Sequence, residues 1–341
     1  MTRSTFTLGL ALWLLVMQSS PVLATTMHKE EVSCPICGQK LTVRRIMSTN
    51  NFGGQDRDFC EHARGAQPLL VGPTTCARCL FTGYPDDFDK KPGPELEALR
   101  KQLLEQKPLK ARGPLELNWV RRDLHIQYLM LSDALDERLL ADMYLRIAWA
   151  VRLEMNPLTP YFHRLTEEQH GRVEKLLPKE QNARRADKAR GDLLAARFLI
   201  AKIDELEREE KEAALIAAAY MLRNRGEHGL LSEILPKLKE VLPEGEAGSL
   251  IEKTKASIEL EQAYQRKALA AIDEHLKLKS LPDEGFPDSM KVYVYLAGEL
   301  ARRVGDLDRA RSAYRRVIRL QPVDWLRKLA QEQLALVEKK H

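Results

Sequence analysis

Two cysteine pairs constrain this chain more than any other feature: Cys34-Pro35-Ile36-Cys37-Gly38 and Cys76-Ala77-Arg78-Cys79. Each is a Cys-x-x-Cys turn, whose geometry lets two thiolates reach one tetrahedral zinc ion at about 2.3 Å. Four such sulfurs close the coordination sphere and leave no position for water. Cys34, Cys37, Cys76 and Cys79 therefore read as ligands of one structural zinc, not of a catalytic one. Gly38 relieves crowding behind the first turn. The stretch between the pairs is long for a zinc ribbon, but loop length costs entropy only slowly.

The first residues bear on how those thiols are used. Arg3 precedes the apolar run Leu8 to Met17, and Ser19-Ser20-Pro21-Val22-Leu23-Ala24 follows it. A basic start, a short apolar stretch and small residues form a secretory signal, with cleavage expected after Ala24. The run is shorter than the roughly 20 residues that span a bilayer, and an uncleaved anchor is the alternative. No second apolar run of spanning length follows, so the expectation is an exported, soluble protein, periplasmic or secreted. An oxidising compartment favours disulfides, within or across the pairs, and that rival stays open. A redox-active pair is a third reading. It needs a thiolate activated at a helix N-terminus in a thioredoxin-like setting, and no βαβ pattern surrounds either pair.

At 341 residues the chain exceeds one typical domain. Hydrophobic residues at 44% and charged residues at 30% fit a soluble, helix-rich protein. A net charge of +5 from 54 basic and 49 acidic side chains is no nucleic-acid-binding balance. The reading is mainly α: a small N-terminal zinc-ribbon-like β/loop domain, then an α-helical tetratricopeptide-like repeat array. The expected units are a signal peptide over 1–24, the zinc-ribbon-like domain over 25–92, a helical region over 93–190 and repeats over 191–341.

Local signals support this division. All five cysteines fall in the first unit, with Gly53-Gly54, Gly72-Pro73 and the β-prone Leu41-Thr42-Val43. Such a loop-rich unit has little core of its own and needs a staple. Lys90-Lys91-Pro92-Gly93-Pro94 can continue neither a helix nor a central strand. Beyond it, Glu95–Gln106 and Asp136–Met155 have helical periodicity, the second ended by Asn156-Pro157. Arg184–Arg208 and Glu212–Arg225 read as a helix pair, with the charge run Glu205–Glu212 as a solvated turn. Val292–Pro322 places Gly298, Gly305, Ala310, Tyr314 and Pro322 at tetratricopeptide-like offsets. Ala213–Pro243 echoes them through Ala219, Gly226 and Pro243. Ser249–Lys279 is helical with no clear register.

Cys60 and His62, in Asp56-Arg57-Asp58-Phe59-Cys60-Glu61-His62, could form a second mixed-ligand site with Asp56 and Asp58. The plainer reading makes Cys60 a small buried hydrophobe and His62 a surface side chain. No His-Glu-x-x-His, Gly-x-Ser-x-Gly or glycine-rich phosphate loop occurs.

These residues resemble the bacterial family of domain of unknown function 2225. Its Cys-Pro-x-Cys-Gly knuckle is matched by Cys34 to Gly38, and its Asp-x-Asp-Phe segment by Asp56, Asp58 and Phe59. A Pro-Leu pair, Pro68 and Leu69, comes next. The second knuckle is followed by Gly83-Tyr84 and Asp87-Phe88, and a later helix by Tyr144-Leu145-Arg146 and Ala148-Trp149. Ala77 and Leu80 stand where that pattern has proline and glycine. The resemblance covers roughly half the chain; it implies a zinc-ribbon-like domain fused to helical repeats and carries no assigned activity.

The expected role is a non-enzymatic interaction scaffold, since stacked helix pairs offer a concave surface for a peptide or protein partner. Arg302, Arg303, Arg309, Arg311, Arg315, Arg316 and Arg319 form either a solvated face or a surface for an acidic partner or anionic lipid. No nucleic acid or small-molecule substrate is expected. The rival is an envelope enzyme, metal-dependent or thiol-redox, using Cys60 and His62 or a Cys-x-x-Cys pair.

Overall fold

Both cysteine knuckles are hairpin tips. Strand β1 (Thr26–Ser33) pairs antiparallel with β2 (Lys40–Ser48), Ser33 opposite Lys40, so the first knuckle is the connecting loop. A shorter hairpin, β3 (Thr74–Thr75) with β4 (Thr82–Gly83), carries the second knuckle in the same way. The computed structural model describes residues 25–63, 65–89, 93–106, 109–177, 188–278 and 285–338. The expected signal peptide, part of the Lys90–Pro94 boundary and the start of the Arg184–Arg208 helix lie outside them.

Helices make up the rest: α1 (Pro85–Phe88), α2 (Pro94–Lys101, continued as a π turn to Gln106), α3 (Asn118–Leu131) and α4 (Glu137–Glu154). The fourth begins where Asp136 caps it, accepting from the Leu139 N–H at 2.6 Å, and stops at the expected Asn156-Pro157. Next come α5 (Thr159–Arg164), α6 (Glu167–Leu176), α7 (Lys188–Lys202), α8 (Arg208–Asn224) and α9 (His228–Ile234). The run Glu205–Glu212 lies at the α7–α8 turn and the start of α8, where Glu205 and residues 207–209 are exposed and the rest half-buried. The chain ends in α10 (Glu244–Leu278), α11 (Asp288–Val304), α12 (Leu307–Arg319) and α13 (Asp324–Glu338). Among the described residues, no helix is long and apolar enough to cross a membrane.

The mainly helical fold with a small N-terminal β region agrees with the sequence. Of the Ser249–Lys279 stretch, the described part to Leu278 belongs to one continuous helix of 35 residues, about 50 Å long. That accounts for its lack of a hairpin register. In the Ala213–Pro243 stretch the second helix is short and tightens into a 3-10 turn at Leu235–Glu240. The last unit, α11 with α12, is a helix hairpin turned by Gly305 at φ 92°. There the backbones approach closely: a Cβ on Gly298 would lie 3.0 Å from the Tyr314 ring.

The long α10 touches three apolar cores. Its start packs Ala247, Leu250 and Ile251 among α5 to α9. Its end packs Ala268 and Ile272 against α11 to α13. From its middle, Tyr264 enters the core formed by the knuckles (Cys34, Ile36, Cys76, Phe81) with α3 and α4. The knuckle hairpins thus bury their apolar side on helices instead of enclosing a core alone.

Candidate metal centre

The two knuckles adopt the same backbone trace. Cys34 N–H donates to Gln39 O at 2.8 Å and Gly38 N–H to Cys34 O at 2.9 Å. The second repeats this, Cys76 N–H to Phe81 O and Leu80 N–H to Cys76 O, both at 2.8 Å. The residue after each second cysteine is left-handed: Gly38 at φ 73° and Leu80 at φ 59°. Leu80 therefore does the conformational work of a glycine despite its Cβ, at about 1–2 kcal/mol.

This trace brings all four sulfurs within 4.8 Å of one another. Across the knuckles, Cys34 Sγ lies 3.6 Å from Cys79 Sγ, and Cys37 Sγ lies 3.5 Å from Cys76 Sγ. A tetrahedral zinc with four bonds of about 2.3 Å has sulfur–sulfur edges of about 3.8 Å. All four thiols are free. Cys34 is held down at about 5, chiefly by the thiol of Cys79, which is pushed up in return. Burial pushes Cys76 up as well. Four soft donors within 4.8 Å, two of their separations close to a tetrahedral edge, fit a metal ion such as zinc.

The Asp56–His62 segment has a different role. It forms a third small hairpin, with Gly53 N–H donating to His62 O and His62 N–H to Gly54 O, both at 2.8 Å. Its tip, Asp56 to Cys60, turns through Phe59 in the left-handed region at φ 66° and enters the helical body. Arg152 of α4 meets it there: Nη1 donates to Asp56 Oδ2 at 2.9 Å and Nη2 to Asp58 Oδ2 at 2.5 Å. The same guanidinium donates to Glu261 of α10, Nε to Oε1 at 2.9 Å. Arg225 Nη1 reaches Asp56 Oδ1 at 2.6 Å, and Trp149 Nε1 reaches Asp58 Oδ2 at 3.1 Å. Arg223 pairs with Glu261, and Arg303 with Glu299 and, at 3.4 Å, with Asp58. Arg152, Arg223 and Arg303 have fully buried side chains.

His62 is a correction to its surface reading. Its side chain is 12% exposed, and Nε2 lies 2.9 Å from Asp56 Oδ2. Cys60 is buried as the plainer reading expects, at 0% exposure. Burial, and then the Asp56 charge, push its thiol far up, which disfavours the thiolate a nucleophile needs. Asp56, Cys60 and His62 do offer ligand atoms within 4.8 Å of one another. Burial opposes ionisation of Asp56, yet His62, Arg225 and Arg152 outweigh it and hold the carboxyl far below its usual range. A divalent cation would have to share that carboxylate with two guanidinium groups, so the donor set suits an ion-pair hub and not a metal.

The C-terminal arginines are also placed differently from a free basic face. Arg302 and Arg303 are internal, Arg302 bridging Glu227 and Glu299. Arg309 pairs with Asp273, Arg311 with Asp308 and Arg315 with Glu338. Sequence reasoning missed Arg152, Arg223, Glu261 and Glu299. The available signal was a charged residue inside an apolar helical run, as Glu299 is between Leu296 and Leu300.

The site thus defines a class: paired cysteine knuckles docked on a helical body that encloses an acidic hairpin tip. Residues 27–170 match a family model described as an uncharacterized protein conserved in bacteria (DUF2225). The match takes in all four knuckle cysteines, the Asp56–His62 hairpin and Arg152. No curated protein and no solved structure matches this chain.

Proposed function

We propose that this is an exported, non-enzymatic scaffold in which one zinc ion, held by Cys34, Cys37, Cys76 and Cys79, fastens the N-terminal hairpins to a helical body that receives a protein or peptide partner. The observation that carries the reading is the convergence of four sulfurs from two hairpin tips, over a core continuous with α3 and α4. The ion would supply a cross-link between segments far apart in sequence, and with four sulfurs around it no position is left for substrate. The α11–α12 hairpin, with Gly298 against Tyr314 and the left-handed Gly305, supports a tetratricopeptide-like terminal unit. Export rests on the segment 1–24 and its small residues before Thr25.

Metal content and thiol count of the mature protein, with thiols trapped under acid before unfolding, test the metal. One zinc and all five thiols free are expected. No metal with a single free thiol would establish disulfides instead. N-terminal sequencing of the purified protein should begin at Thr25; a chain retaining Met1 to Ala24 would overturn export by cleavage.

A further inference from the structure

A cleft of about 1000 Å³ lies between the β1–β2 hairpin and the helices α3 and α4, on the outer side of the buried hub. Arg44, Arg122 and Arg146 line it, with Tyr84 and Trp149 among its walls. Arg122 is 6% exposed, and its known partners are neutral. Nε donates to Asn118 Oδ1 at 2.7 Å, Nη1 to Tyr84 Oη at 3.0 Å and Nη2 to the Leu69 carbonyl at 2.6 Å. Burial works against its charge, and so does nearby Arg146. Neither Arg44 nor Arg146 pairs with a carboxylate among the described residues, and both are exposed. Of the two acids on the walls, Asp86 is taken by Arg45 at 2.6 Å, which leaves Glu61 against three arginines.

A buried guanidinium that is fixed by neutral acceptors and crowded by a like charge is costly unless an anion completes it. Among the described residues, the other buried arginines, Arg152, Arg223, Arg225 and Arg303, are each met by a carboxylate. We propose that the cleft binds a phosphate group, as free phosphate or as a phosphate ester, on Arg122 and Arg146. Guanidinium groups match phosphate with paired hydrogen bonds, and a dianion offsets two uncompensated charges at once. The volume admits a larger ester, with Tyr84 and Trp149 beside the phosphate. The site is independent of the zinc reading.

Calorimetric titration of the full chain with inorganic phosphate and with phenyl phosphate, in chloride buffer, tests this. Removing Arg122 would also release Tyr84, Leu69 and Asn118, so the exposed Arg146 carries the test as R146A. Saturable binding to wild type, weakened about tenfold or more in R146A and unchanged in R315A, is expected. Tighter binding of phenyl phosphate would assign an ester, with the aromatic walls contributing; equal binding would assign free phosphate. The proposal falls if neither probe binds saturably at concentrations up to about 1 mM, if R146A binds like wild type, or if R315A is weakened as much.

Discussion

Glu299 shows how the interior manages charge one residue at a time. It is fully buried and receives Arg302, Arg303 and the Tyr314 hydroxyl, whose O–H donates to Oε2 at 2.8 Å. Burial opposes its ionisation, yet Arg302 and Arg303 hold its carboxyl at about 2, against an ordinary 4.5. With the folded-state value below the unfolded one, its stabilisation is complete above about pH 5 and is lost as pH falls toward 2. Glu299→Gln should therefore cost about 3 kcal/mol at neutral pH, because two guanidinium groups lose their partner. Urea unfolding at a series of pH values should show the gap from wild type closing below about pH 5. A gap that stays constant down to pH 2 would remove Glu299 from the network's charge balance.

At the level of elements, turns do more than reverse the chain. Gly226 joins α8 to α9 at φ 65°, and a Cβ there would lie 1.7 Å from Arg303 Nη1. That nitrogen donates to the Arg225 carbonyl at 2.9 Å, so the turn is a docking point for a helix from the far end of the chain. Gly305 is equally left-handed but has nothing within 4 Å of its missing Cβ. Gly305→Ala should cost only the conformational penalty, about 1–2 kcal/mol. Gly226→Ala should cost about 3 kcal/mol or more, since a buried guanidinium must also move. Thermal denaturation of the two variants separates these terms, and equal losses would mean that Arg303 yields freely. Elements of this kind explain what was legible in the sequence. The knuckles, α4 with its Asp136 cap, and the Gly226 and Gly305 turns are specified by residues within a few positions of one another. The hub is not: Arg152 finds Asp56 across 96 residues and Arg225 finds it across 169. No local spacing encodes such a pairing. Only the oddity of a charge within an apolar helical run marks it.

For the molecule as a whole, the three cores meet along α10, and among the described residues the knuckles share their apolar interior with α2, α3, α4 and Tyr264. Stripping metal with a chelator should therefore lower the midpoint of the entire helical melt in one cooperative transition. A helical melt unchanged by chelation would mean that the knuckles are a detachable appendage. The acidic hairpin has a further consequence, in the order of assembly. Asp56 and Asp58 leave the ribosome long before Arg152, Arg225 and Arg303, and their carboxylates keep their water until those arginines arrive. Desolvating them early would leave bare charge in an apolar setting, so the hub can close only after α11 is in place. Closing loops that long also raises contact order, which slows folding. A chain shortened before Arg303 would keep all four knuckle cysteines, yet its interior could not complete; the last helices act as a checkpoint on the first hairpin.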